Sequence, residues 1–185
     1  MSSTPPHRAL FLDRDGIINI DDGYINNISR IIFNDEIFEI SRFFKQKNYK
    51  LIIITNQSGI GRGLITMDQY NEITSCILER FNTENCPVDL ILTASVNPDD
   101  LKASPVEKYL RKPNPGMILN AKSSLDLDLS NSLLIGDNLS DMRAGESAGI
   151  SKLYLINNPQ VPSEQFESYI NLKECLVRLR DVFNF

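Results

Sequence analysis

Phe11-Leu12-Asp13-Arg14-Asp15-Gly16 sets two carboxylates two residues apart at the end of an apolar run, with a glycine closing the turn. The run from Ala9 to Leu12 reads as a buried β-strand, so both acids fall at its carboxyl end. In an open parallel sheet, ligands bind in the crevice beyond the strand tips. Two acids crowded there repel each other unless a cation or a proton compensates, and a Mg²⁺-dependent phosphoryl-transfer site exploits that repulsion. Taken alone, so short a motif is more often a surface turn with two solvated acids, so the decision rests on what surrounds it.

Outward from this stretch, apolar runs alternate with helical patterns. Leu51 to Ile54, Leu90 to Leu92, Leu133 to Ile135 and Leu153 to Ile156 are short and uniformly apolar, as expected of strands buried on both faces. Between them, Asp35 is placed to cap a helix through Ile37, Ile40, Phe43 and Phe44. Thr66-Met67-Asp68-Gln69 reads as a capping box opening a helix through Tyr70, Ile73, Ile77, Leu78 and Phe81. Pro115 suits a first helical turn before Met117, Ile118 and Ala121, and a helix from about Ser140 should stop at Gly149. The order βαβαβαβαβ with right-handed crossovers predicts an α/β fold: a three-layer α/β/α sandwich with a mainly parallel, Rossmann-like sheet. A final helix is expected within 162–185, after Pro159 to Pro162, using Phe166, Ile170, Leu172, Leu176, Leu179 and Phe183.

Length and composition fit one domain over 1–185. The 185 residues suffice for a sizeable core, and 42% hydrophobic with 23% charged residues is ordinary for a globular protein. A balance of 19 basic to 24 acidic residues, net −5, argues against nucleic acid, whose phosphates demand a basic face. No apolar run nears the roughly 20 residues of a membrane span, and the tail 1–7 lacks a signal-peptide core, so a cytoplasmic protein is expected, without membrane partners and as a monomer. Cys76, Cys86 and Cys175 are odd in number and widely spaced, which favours reduced thiols. The single histidine, His7, sits in the tail and speaks against histidine catalysis.

Two inserts interrupt the alternation. Residues 16–32 are polar and glycine-containing, with Asp21-Asp22-Gly23-Tyr24 at their centre, and are long for a βα loop. They read either as a flap over the strand tips or as a solvated excursion with Tyr24 packed on the body. Residues 94–110, with Pro98, Asp99, Asp100 and Pro105, form a loop insert near the same sheet edge. Each remaining strand end also carries chemistry: Thr55-Asn56-Gln57-Ser58-Gly59, then Arg111-Lys112-Pro113, then Gly136-Asp137-Asn138-Leu139-Ser140-Asp141. Singly these are caps and solvated charges, but their recurrence at successive strand ends points to one site.

These four segments, in this order, resemble the signature motifs of the haloacid dehalogenase superfamily of phosphohydrolases. The longer strings Phe-Leu-Asp-Arg-Asp-Gly, Thr-Asn-Gln-Ser-Gly-Ile-x-Arg-Gly and Arg-Lys-Pro-x-Pro-Gly-Met are similar to those of D-glycero-D-manno-heptose 1,7-bisphosphate phosphatases and the related histidinol-phosphate phosphatases. The resemblance implies a small phosphorylated sugar as substrate, removal of its C7 phosphate, and a place in nucleotide-heptose synthesis for surface polysaccharide; histidinol phosphate or another small phosphate ester is the alternative. It makes Asp13 the nucleophile, with Asp15 protonating the leaving oxygen and then activating water, a task needing a carboxyl whose pKa is raised by neighbouring acids. Mg²⁺ is expected on Asp13, Asp15 through its main-chain carbonyl, and Asp137. Thr55, Asn56, Gln57, Ser58 and Lys112 bind the phosphoryl group, Arg111 the second phosphate or sugar hydroxyls, and Asp141 supports the metal site from behind. Asp21, Asp22, Gly23 and Tyr24 match the sugar-facing insert.

The chain departs from that pattern twice. Relatives often hold zinc through cysteines and a histidine at positions corresponding to Ala94, Val96, Lys108 and Leu110, so no structural Zn²⁺ is expected. Asn138 stands where a substrate-binding lysine is common, which leaves the anomer open. Phosphorylation-receiver modules also gather acids at strand ends, but their acid pair is adjacent and the phosphorylated aspartate lies on a later strand. A catalytically silent phosphate-binding scaffold is disfavoured because every motif residue is present.

Overall fold

A computed structural model describes residues 5–157 and 163–184. Met1 to Thr4 of the tail, Pro159 and Pro162 before the last helix, and Phe185 lie outside them. In chain order the elements are β1 (Ala9–Leu12), α1 (Glu36–Gln46), β2 (Lys50–Asn56), α2 (Ser58–Gly61), α3 (Met67–Thr83), β3 (Leu90–Ala94), α4 (Pro105–Leu110), α5 (Gly116–Leu125), β4 (Leu133–Gly136), α6 (Leu139–Ala148), β5 (Lys152–Ile156), β6 (Glu167–Tyr169) and α7 (Leu172–Phe183). Single 3₁₀ turns at Ile28–Arg30 and Leu129–Asn131 complete the set.

The six strands form one sheet in the order β3-β2-β1-β4-β5-β6, every neighbouring pair parallel. Period-two alternation divides the apolar strands between two cores. Leu10, Leu12, Ile53, Ile135 and Ile156 face α1, α3 and α7, whereas Phe11, Ile52, Ile54, Leu134 and Leu155 face α5 and α6. From β1 the chain winds outward through β2 and β3, then returns to lay β4 on the other side of β1. That reversal is the topological switch point where open α/β sheets place their ligands, and the tips flanking it carry Asp13 and Asp137.

Most predicted boundaries hold within a residue or two. The Thr66–Gln69 capping box closes reciprocally, and α6 ends on Gly149 at φ 86°. Asp35 does not cap α1: its backbone is already helical and its carboxylate turns outward toward Arg80, 3.4 Å away. Thr55 and Asn56 lie on β2, because β3 pairs with them through Thr93 and Ala94. The region expected to form one last helix contains β6 first, and Asn171 then caps α7 by accepting from the Glu174 N–H.

The two inserts are better anchored than polarity suggests. In 16–32, Ile17, Ile18 and Ile25 are fully buried, and the Ile20 and Asn34 N–H groups donate to the Ile32 and Ile18 carbonyls, so the base is closed and the tip projects. The 94–110 insert contains α4, opened by a Ser104–Glu107 capping box. Its start is pinned where the Gly61 N–H donates to the Ser95 carbonyl, and a β-carbon on Gly61 would stand 2.5 Å from that oxygen.

Candidate active site

Three strand tips, those of β1, β2 and β4, and the segment that follows α4 converge on a cavity of about 530 Å³, within the range of small-molecule sites. On its floor, Lys112 Nζ donates to Asp13 Oδ1 at 2.7 Å and to the Ile54 carbonyl at 3.0 Å, and pairs with Asp141 Oδ1 at 2.6 Å. The lysine's backbone is held by a side chain from β2: Lys112 N–H donates to Asn56 Oδ1 at 3.1 Å, and Asn56 Nδ2 donates to the Lys112 carbonyl at 3.0 Å. The Lys112-Pro113 peptide bond is cis. Asp141 is fully buried, and its Oδ2 accepts from the Asn138 N–H.

Charge on this floor is unbalanced. Asp13, Asp137 and Asp141 bring oxygens within 4.8 Å of one another, facing the single ammonium of Lys112. Burial, then the Asp141 charge, pushes the Asp13 carboxyl well above its ordinary range despite Lys112. The same two causes carry Asp137 up to about 6. Burial opposes the charge on Lys112, but Asp13 and Asp141 outweigh it and hold the ammonium above its usual range. Three hard oxygen donors with a surplus of negative charge suit a small divalent cation. Two glycines permit the crowding: a β-carbon on Gly16, itself at φ 84°, would lie 2.0 Å from Asp137 Oδ2, and one on Gly136 would lie 2.5 Å from the Asp141 β-carbon.

Around this floor the cavity gathers Asp15, Asp21, Gly23, Tyr24, Thr55, Asn56, Gln57, Ser58, Arg111 and Asn138, all anticipated from sequence. Arg14 and Ser140 line it as well and were not anticipated. The Arg14 fork closes on Asp15, with Nε at 3.0 Å and one terminal nitrogen at 2.8 Å. Asp15 therefore sits among donors, apart from the acid cluster, and the expected crowding by other carboxylates is not its environment. Asp22 is the residue not brought in: its carboxylate pairs with Arg30 at 2.8 Å within the insert. Asn138 borders the cavity but spends its side-chain oxygen capping α6 at Ser140 N–H. Tyr24 is 44% exposed and lays its ring edge over Gly59, where a β-carbon would come within 2.7 Å. Burial and the like charge of Arg62 lower the pKa of Arg111, one of whose terminal nitrogens is buried without a hydrogen-bond partner.

Residues 109–157, spanning Lys112 to Asp141, match the family model described as HAD-hydrolase-like. A D-glycero-α-D-manno-heptose-1,7-bisphosphate 7-phosphatase from Burkholderia mallei is 45% identical over 151 residues, covering 81% of this chain and 80% of its own. One from Campylobacter jejuni is 43% identical over 169 residues, covering 91% and 94%. The chain belongs to the D-glycero-D-manno-heptose-1,7-bisphosphate 7-phosphatase family. Among solved structures, the D,D-heptose 1,7-bisphosphate phosphatase of B. bronchiseptica, complexed with magnesium and phosphate, superposes with a TM-score of 0.81 at 26% identity, over 95% of this chain and 99% of that one. This phosphatase-family chain is thus a HAD-like hydrolase in both fold and sequence. Of the four positions that the sequence reading set against zinc ligands, Ala94 and Val96 are buried and Lys108 and Leu110 belong to α4. Here the Arg62–Asp99 pair at 2.7 Å, with the Gly61 contact and the Ser104–Glu107 box, ties down the insert.

Proposed function

We propose that this chain hydrolyses the C7 phosphate of D-glycero-α-D-manno-heptose 1,7-bisphosphate, in the cytoplasm, as a single-domain monomer supplying nucleotide-heptose synthesis for surface polysaccharide. The observation that carries the reaction is the meeting of Asp13, Lys112, Asp137 and Asp141 at the switch point. The α anomer is favoured because the relatives at 45% and 43% identity bear that name.

Asp13 attacks phosphorus from β1, the bond to the sugar oxygen breaks, and Asp15 supplies the proton that oxygen needs; Asp15 then takes a proton from the water that cleaves the aspartyl-phosphate. Thr55 and the Asn56 N–H bind phosphoryl oxygens, and Lys112 balances charge gathering on them. Arg111, with hydrogen-bonding capacity unclaimed and its charge disfavoured by burial, accepts the second phosphate and so fixes which end of the substrate reaches Asp13. Mg²⁺ would be held by Asp13, Asp137 and the Asp15 carbonyl, with Asp141 supporting from behind, and would supply positive charge between the nucleophile and the phosphate.

Phosphate release from the α and β heptose bisphosphates and from histidinol phosphate, measured in parallel with Mg²⁺, tests this reading. The α sugar should have the highest kcat/KM; a preference for β removes the anomer assignment, and a preference for histidinol phosphate removes the heptose reading.

The metal site has its own signature. Because the folded-state pKa of Asp137, about 6, exceeds its ordinary 3.8, the metal-free native state binds this proton more tightly than the unfolded chain. Asp137 then costs stability progressively as pH rises from about 4 through about 6. Mg²⁺ relieves that cost, so the rise in melting temperature on adding it should be small near pH 5 and grow to a plateau above about pH 7. A Mg²⁺ effect constant across that window would count against Asp137 as a ligand.

A further inference from the structure

Gln57 sits in the cavity wall yet is only 4% exposed, and both hydrogens of its amide are committed. Nε2 donates to Asp15 Oδ2 at 2.7 Å and to Thr55 Oγ1 at 2.8 Å. Facing a carboxylate, the amide must present its nitrogen, which fixes its orientation. Its own backbone is anchored, since the Gln57 N–H donates to the Ala94 carbonyl at 2.8 Å at the end of β3.

The setting of Asp15 shows why this matters. Oδ1 accepts from Arg14 Nε at 3.0 Å and Asn19 Nδ2 at 3.1 Å; Oδ2 accepts from an Arg14 terminal nitrogen at 2.8 Å and from Gln57. Both oxygens are thus engaged as acceptors, so the proton that Asp15 carries in the reaction must take the place of one of these hydrogen bonds. Arg14 and Asn19 belong to the loop that carries Asp15, and they move with it. Gln57 comes from the tip of a different strand, so among the described partners it is the one that sets Asp15 relative to β2. Because Thr55 Oγ1 receives its hydrogen bond from Gln57, its own hydroxyl hydrogen remains to be donated into the cavity.

We propose that Gln57 is a positioning residue, locking the proton-carrying Asp15 and the phosphoryl-binding Thr55 into one fixed arrangement across two strand tips. This rests on the roles given to Asp15 and Thr55 under the proposed function. Such locking matters because a misplacement of about 1 Å in a reacting group costs about 10²-fold in rate.

The test exploits leaving groups. A sugar phosphate, with an alkoxide-like leaving oxygen, needs the proton from Asp15; p-nitrophenyl phosphate, with a good leaving group, does not. In single-turnover reactions with Mg²⁺, Gln57→Met should slow leaving-group release from a sugar phosphate about 10²-fold more than it slows p-nitrophenol release. Gln57→Glu, which keeps the shape but has no N–H to offer Asp15, should show the same selectivity and carries the comparison should the Met variant lose its cooperative melt. Equal slowing of both esters, a change confined to KM, or wild-type rates in the variants would overturn the proposal. Absence of phosphate release by the wild-type protein from both esters would instead remove the phosphatase reading itself.

Discussion

Asp13→Asn is expected to abolish turnover of every phosphate ester, by a factor of about 10⁴ or more, because a carboxamide cannot serve as the attacking oxygen and no second carboxylate stands in its place. Asp141 is fully buried and held by Lys112 and the Asn138 N–H, and Asp15 is bound on both oxygens by Arg14, Asn19 and Gln57. The fold should not suffer. Asparagine keeps the oxygen that accepts from Lys112 and from the Arg14 N–H, and it removes a charge that burial and Asp141 disfavour. In metal-free buffer at neutral pH the variant should melt at or above the wild-type temperature while losing most of the Mg²⁺-induced rise. Retained turnover would refute the covalent route; a large fall in melting temperature would refute the view that this carboxylate is held at a cost to the native state.

Lys112→Met attacks the same floor from the other side. With the ammonium gone, Asp13, Asp137 and Asp141 face one another with no internal cation, and breaking a buried pair of this kind typically costs about 3–5 kcal/mol. At about 2–4 °C per kcal/mol for a chain of this size, the melting temperature should drop by roughly 6–20 °C in metal-free buffer near pH 8. Acid should relieve the loss, since protonating one carboxyl substitutes for the missing cation: without Lys112 the native-state pKa values of Asp13 and Asp137 lie still further above their unfolded values, so the deficit grows as pH rises. The double variant Lys112→Met/Asp13→Asn should recover part of the deficit, a non-additivity expected of groups in direct contact. Phosphatase activity should fall about 10²–10³-fold. A Lys112→Met protein with wild-type melting at pH 8 would mean that the floor does not depend on this ion pair.

How much of this was legible beforehand depended on whether a signal was local. The five apolar runs gave the central strands, because strands buried on both faces cannot afford polar residues; β6 escaped because Glu167–Tyr169 is three residues long, half polar in character and at the sheet edge. The α4 helix was readable in principle: Ser104-Pro105-Val106-Glu107 carries both the capping-box spacing and a proline at the first helical position. The convergence of strand-end residues followed from topology alone. What a one-dimensional reading misses is where a side chain spends its hydrogen bonds. Arg14 folding back on Asp15, Asp22 turning to Arg30 and Asn138 capping α6 all depend on local turn geometry that residue type does not disclose.

The pair of hydrogen bonds between the Asn56 side chain and the main chain of Lys112 imitates one more rung of the ladder beyond Ala94, with which Asn56 is already in register. Both ends of the intervening segment are thus tethered to a single residue of the sheet. Evolution can lengthen, shorten or rewrite what lies between them while Lys112 keeps its address; length drift in this segment becomes a means of retargeting the enzyme without rebuilding its chemistry.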